Sequence, residues 1–143
     1  MTLELLRILL DFGLVVLIWM VQLLIYPSFI HFSSTNLIAW HKVYTKNMAL
    51  VVMPLMLGQL VVYSASFIQE QNSFNTLGFV LTLILWASTF FQFVPLHNAI
   101  SKNQFTADHL KLLVKRNWIR SFLWSVLFVL SLLEYASLLP KFF

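Results

Sequence analysis

The chain has 143 residues, of which 60% are hydrophobic and only 10% charged, and its mean hydropathy is +0.85. A soluble domain carries about 25% charged residues, so this composition excludes an ordinary water-soluble globule and leaves an integral membrane protein. The net charge is +4 and cysteine is absent, which removes disulfides, thiolate metal sites and thiol redox chemistry.

Four apolar stretches follow in chain order, at about 8–26, 48–68, 77–97 and 118–139. Each approaches the ~20 residues that a helix needs to cross a hydrocarbon core. The runs are continuous, whereas strands of a membrane barrel alternate and turn every ~10 residues. The expectation is an all-α integral membrane four-helix bundle, a single transmembrane domain spanning 1–143.

The first stretch is long, carries Asp11 near its start and ends in "IYPSF" with no small-residue cleavage pattern. It reads as a retained helix rather than a signal peptide. In the loop that follows, "SSTNLIAWHKVYTKN" offers Ser34, Thr35 or Asn36 as an N-cap. Leu37, Trp40, His41 and Tyr44 share one helical face, which predicts a short interfacial helix leaning on the bundle. The second span carries a stripe of Asn47, Val51, Pro54 and Gly58. Residues 69–76 form a short polar turn. In the third span Thr82, Trp86, Thr89 and Gln92 line up, with Pro95 and His97 beyond. Pro54 and Pro95 each deprive a carbonyl four residues back, Leu50 and Phe91, of its donor. The second long loop has Thr106 as a cap for a helix running through Leu110 and Leu113 into the fourth span. That span bears a polar stripe of Asn117, Arg120, Ser121 and Ser125.

Charge sets an expected orientation. Arg7 and Lys141 lie on the side of the termini, against Lys42, Lys46, Lys102, Lys111, Lys115, Arg116 and Arg120 on the other. The positive-inside rule then puts both long loops in the cytoplasm and both termini outside, as in a bacterial inner membrane. The positive charge is a topology signal and carries no nucleic-acid signature. A homo-oligomer or a larger membrane complex is compatible with the chain.

Polar groups in lipid cost free energy unless they have partners, so their positions point to a site. Gln22, Gln92 and Arg120 lie about one turn from the loop-side end of their helices, with Tyr26, His97 and Asn117 at that end. Together they predict a polar pocket open to the cytoplasm. His41 or His97 would act as general base, Arg120 would stabilise an enolate, phenolate or carboxylate, and Tyr26 would donate a proton or orient the substrate. Gln22, Gln92, Asn117, Trp118 and Trp86 complete the expected substrate site, whose aromatics suit a flat lipophilic molecule such as a quinone or polyketide.

Each feature has a structural reading beside the functional one. Arg120 could snorkel to lipid phosphate, the glutamines could be interhelical glue, and the tryptophans could belong to the interfacial belt. Glu134 could pair with Arg7 purely for stability. Carboxylate-bridged di-iron and His-Glu-x-x-His zinc chemistries lack their residues, and Ser-His-Asp hydrolysis lacks a credible buried Asp. Haem or a single metal ion held by His41 and His97 stays chemically permitted, though nothing in the sequence requires a cofactor.

"QLLIYP", "WHKVY", "VPLH" and "NWIR" resemble segments of a group of small bacterial four-helix membrane proteins similar to the anthrone-oxygenase-like family. That resemblance implies a four-helix bundle and, for some members, oxygenation of aromatic polyketides. Asn117, Trp118 and Arg120 are the residues it maps. Two functions of different class follow: an oxidoreductase-like membrane enzyme acting on a lipophilic aromatic or quinone-like compound, or a non-catalytic subunit or binding protein whose polar layer locks the helices.

Overall fold

The structure, a computed structural model, describes residues 2–138. Four helical rods account for nearly all of them. The first, α1, is built from an α-helix Thr2–Met20, a π turn Val21–Ile25, a short α segment Tyr26–Ser28 and a 3₁₀ turn Phe29–His31, and its candidate membrane span is Leu3–His31. The others are α2 (Ser34–Gln69), α3 (Ser73–Ser101) and α4 (Ala107–Leu138). All four are long and apolar enough to cross a membrane, and the chain is a multi-pass membrane protein.

The predicted spans are present but longer at the loop end. The segment expected as a separate interfacial helix is the first three turns of α2, capped by Ser33, whose side chain accepts from the Asn36 amide. Nothing between Ser34 and Asn47 breaks the helix, so it runs straight into the second span. Its inward face carries Leu37, His41 and Tyr44, while Trp40 is exposed. The second interfacial segment likewise forms the start of α4, after Thr106. At the end of α3, Asn103 takes a left-handed conformation (φ 54°), which asparagine tolerates, and the Gln104 amide bonds back to Ala99. At the opposite end Asn72 caps α3 through the Asn75 amide.

Rod α1 packs against α2 and α4, and α3 also packs against α2 and α4, giving a four-cornered up-down bundle. Leucines, valines and phenylalanines such as Leu50, Val61, Phe91 and Phe122 face outward, as lipid contact requires. Of the stripe on α2, Asn47, Val51 and Pro54 are exposed, whereas Gly58 lies against Leu10 of α1. The inward face is instead Tyr44, Met48, Val52, Met56, Gln59 and Tyr63, which follows the helical repeat one residue off that stripe.

Two π turns shape the loop end. One covers Val21–Ile25 ahead of Pro27, the other Thr89–Phe93 ahead of Pro95. In each, an amide reaches five residues back, Tyr26 to Val21 and Val94 to Thr89. A proline one residue later has no donor and crowds the preceding turn, and a π turn relieves both problems by inserting one residue.

Candidate functional site

The polar side chains of the bundle gather in two clusters. The first lies at the loop end, beside a cavity of about 310 Å³ bounded by all four rods. Leu14, Leu17, Ile18, Val52 and Met56 give it apolar walls, while Tyr26, Tyr44, Thr89, His97, Ser101 and Arg120 add polar groups on one side. Exposed Ala49 and Met53 of α2 face exposed Val94 and Asn98 of α3 at its rim. The size and the ratio of apolar wall to polar head suit a small lipophilic ligand.

Arg120 is the principal charge on this cavity. Only 6% of it is exposed, so it does not snorkel to lipid phosphate. The guanidinium lies 4.1 Å from the Phe93 ring centroid and 5.0 Å from that of Trp124, a geometry that holds a cation by the ring quadrupoles. Nη2 donates to Thr89 Oγ1 at 3.3 Å, Nη1 makes a long contact to Asn117 Oδ1 at 3.5 Å, and Nε has no hydrogen-bond partner among the described residues. The hydroxyls of Tyr26 and Tyr44 are within its electrostatic reach. None of the five carboxylates neutralises it. Asp11 and Glu134 are engaged at the other end of the bundle, Glu4 and Glu70 line a different cavity, and Asp108 sits beside Lys111.

A hydrogen-bonded chain runs past the same cavity. The Tyr26 hydroxyl meets His97 Nε2 at 2.9 Å, His97 Nδ1 meets His41 Nε2 at 2.7 Å, and His41 Nδ1 meets Ser101 Oγ at 3.2 Å. The imidazoles stack with centroids 5.0 Å apart, enclosed by Phe29 and Tyr44. His41 is completely buried, whereas Ser101 is exposed at the last turn of α3. All four ring nitrogens are engaged within the protein. A haem or metal ion on either histidine would have to displace one of these bonds, and among the described residues no group of three or more His, Asp or Glu side chains is placed to share a metal.

The structure thus brings together Arg120, His97 and Tyr26, grouped by their depth in the spans, and His41, from the face it shares with Leu37 and Tyr44. The residues expected to bind substrate separate into three groups. Gln22 and Asn117 are buried beside the site but pair with each other: Asn117 Nδ2 donates to Gln22 Oε1 at 2.9 Å, and Gln22 Nε2 reaches the Val114 carbonyl at 3.4 Å. They lock α1 to α4 and position Asn117 beneath Arg120, outside the cavity lining. Gln92 and Trp118 are exposed and line nothing. For Gln92 the reason is the π turn at Thr89–Phe93, whose extra residue moves Phe93 into the inward position. Trp118 packs edge-on against Trp19 at the bundle surface. Trp86 lies tilted against Phe90 and packs on the core cluster around Leu85 and Trp124, outside the cavity lining. Of the remaining histidines, His31 is exposed, and His109 accepts from the Thr106 amide at the start of α4.

Ser101, Phe93 and Tyr44 complete the site without having been singled out for it. Ser101 lies four residues after His97, one turn on along the same face, and that spacing was the available signal.

The second polar cluster, at the end bearing the termini, escaped sequence reasoning except for its ion pair. Arg7 pairs with Glu134 and donates to Asn75 Oδ1 at 3.0 Å. Asp11 is completely buried and accepts from Gln59 at 2.6 Å, from Tyr63 at 2.7 Å and from Ser131. Gln59 Oε1 in turn accepts from the Trp124 indole at 3.4 Å. The sequence signal was a pair of i,i+4 spacings, Arg7/Asp11 and Gln59/Tyr63, at matching depth on two spans. No protein-family model, curated protein or solved structure matches the chain.

Proposed function

We propose that the protein is an oxidoreductase-like membrane enzyme that binds a lipophilic aromatic or quinone-like molecule in the loop-end cavity. The observation that carries this reading is Arg120: a buried cation on the wall of a ligand-sized apolar cavity, with no Asp or Glu side chain of the described residues against it. Burying an uncompensated charge costs several kcal/mol. A phenolate, enolate or quinone oxygen would repay that cost by accepting from the guanidinium. Tyr26 and His97 lie on the same cavity and supply a proton donor and a base beside the oxygen that Arg120 would hold. The resemblance to the anthrone-oxygenase-like group points the same way, toward polycyclic phenols. On the positive-inside rule the cavity faces the cytoplasm of a bacterial inner membrane.

The test is quenching of tryptophan fluorescence, since Trp124 lines the cavity. Titration of detergent-solubilised protein with 1,4-naphthoquinone and 1-naphthol should give saturable binding, weakened about tenfold or more in Arg120→Leu, the loss expected of a hydrogen bond to a charged group. Equal affinity in the variant, or no saturation in the wild type, refutes the reading.

A second reading, a non-catalytic subunit or binding protein, draws support from the Gln22–Asn117 pair, whose polar atoms are spent on each other. It predicts that a ligand binds without being altered, and turnover assays on the bound naphthol separate the two.

A further inference from the structure

The chain Tyr26–His97–His41–Ser101 has a property that neither a packing role nor a single general base requires: it joins the Tyr26 hydroxyl in the cavity, by way of a histidine that does not line it, to Ser101, a hydroxyl of the lining that is also exposed. Every link is a hydrogen bond between groups that can both give and take a proton. The two imidazoles come from different rods, α2 and α3, and His41 does not line the cavity at all. A base serving the ligand directly would need only His97.

The geometry points to a proton relay, in which a phenol or hydroquinone bound at Arg120 is deprotonated through Tyr26, His97 and His41, with the proton leaving at Ser101. This rests on the cavity being the ligand site proposed above. In the starting state the Tyr26 hydroxyl donates to His97 Nε2, His97 Nδ1–H donates to His41 Nε2, and His41 Nδ1–H donates to Ser101 Oγ. The ligand hydroxyl passes its proton to the Tyr26 oxygen as Tyr26 passes its own to His97 Nε2. His97 then releases the Nδ1 proton to His41 Nε2, His41 releases its Nδ1 proton to Ser101, and Ser101 releases one to water. One O–H bond of the ligand breaks and one proton reaches water. No electron moves, and each imidazole ends neutral in its other tautomer. The ligand is left as a phenolate against Arg120, the charge that the guanidinium is placed to hold. An electron-rich phenolate is the form that a subsequent oxidation would consume, so the relay fits the first half of an oxidoreductase cycle and supplies no oxidant itself.

The probe is 2-tert-butyl-4-nitrophenol, whose phenolate is yellow and whose neutral form is not. Mixed in a stopped flow with wild-type protein well below the probe's own pKa, it should bind and turn yellow. His41→Gln keeps an amide able to bond to His97 but unable to pass a proton on. It should bind the probe equally well and reach the same final colour, with the colour appearing about tenfold or more slowly, at the lower end of what positioned acid–base groups contribute. Ser101→Val, at an exposed position that folding tolerates, should slow the colour in the same direction. Thermal melts confirm that both variants are folded. Colour at the wild-type rate in the two variants overturns the relay, as does a probe that binds and stays neutral. Failure of the probe and of the naphthols to bind at all overturns the ligand site itself, and the relay with it.

Discussion

Gly78 on α3 is where the bundle is least tolerant of a methyl group. An alanine Cβ there would overlap Tyr63 Cε1 outright and lie 2.8 Å from Cδ1. The Tyr63 ring has no room to retreat: it is 2% exposed, and its hydroxyl donates to Asp11 at 2.7 Å, with Ser131 Oγ 3.0 Å away. Either the ring moves and loses its bond to the Asp11 carboxyl, about 1.5–3 kcal/mol, or α2 and α3 spread, about 1–3 kcal/mol for overpacking. These are alternatives, so they do not add. Alanine recovers up to about 1 kcal/mol over glycine in helix propensity at Gly78 and Gly13 alike, so the net loss at Gly78 is up to about 2 kcal/mol and the gap to a glycine where the methyl fits is about 1–3 kcal/mol. The control is Gly13→Ala, whose Cβ would meet Leu55 at an ordinary 3.5 Å and which should be neutral or slightly stabilising. Unfolding in bicelles by steric trapping resolves the difference. Equal stability of the two variants would refute the close approach, and with it the role of Gly78 in seating Tyr63 on Asp11.

Three further outcomes follow from the same contacts. Glu134→Ala leaves the buried Arg7 without its ion-pair partner and should cost about 3 kcal/mol, whereas the double variant Arg7→Met/Glu134→Met should recover much of it, read by the same unfolding assay. Gln92→Leu, at an exposed position, should change stability by less than about 0.5 kcal/mol and leave naphthoquinone affinity unaltered. Gln22→Ala and Asn117→Ala should be non-additive in a double-mutant cycle, with a coupling of about 0.6 kcal/mol as for interhelical hydrogen bonds in membranes.

The four spans were legible because a membrane imposes one rule on every residue in it, and continuous apolar length reads that rule directly. The core of the site was legible for a related reason: Arg120, His97 and Tyr26 are too polar for lipid at that depth, so their presence implied inward partners. What failed was register. Gln92 was aligned with Thr89 by a constant helical repeat, but the π turn at Thr89–Phe93 adds one residue and turns Phe93 inward. Pro95 marked the place where the repeat would break without revealing which way. The run-on of α2 was hidden because a polar N-terminal stretch reads alike whether it lies on a membrane surface or extends a span. The Asp11 cluster was missed because its partners, Gln59, Tyr63 and Ser131, are each unremarkable alone and meet only when the rods are assembled.

The two polar clusters answer the same constraint in opposite ways, and that difference is why the proposed ligand is placed at the loop end. At the end bearing the termini, the Asp11 carboxyl has three donors and Arg7 has Glu134 and Asn75, so the charges there are matched inside the protein. Among the described residues neither Arg7 Nε nor Arg120 Nε has a hydrogen-bond partner, but Arg7 has a carboxylate against it and Arg120 has none, although a single aspartate facing it would suffice. Arg120 instead has two aromatic faces, the Thr89 hydroxyl, the Tyr26 and Tyr44 hydroxyls within electrostatic reach, one distant amide oxygen and a cavity. Aromatic faces hold a cation without neutralising it, which keeps its charge available to an incoming oxygen while fixing its position. An Asp introduced at Thr89, whose hydroxyl now accepts from Arg120, would complete the pair. Thr89→Asp should therefore fold at least as well as the wild type while abolishing naphthoquinone binding. Undiminished binding in that variant would mean that the open valence of Arg120 is not what the cavity is for.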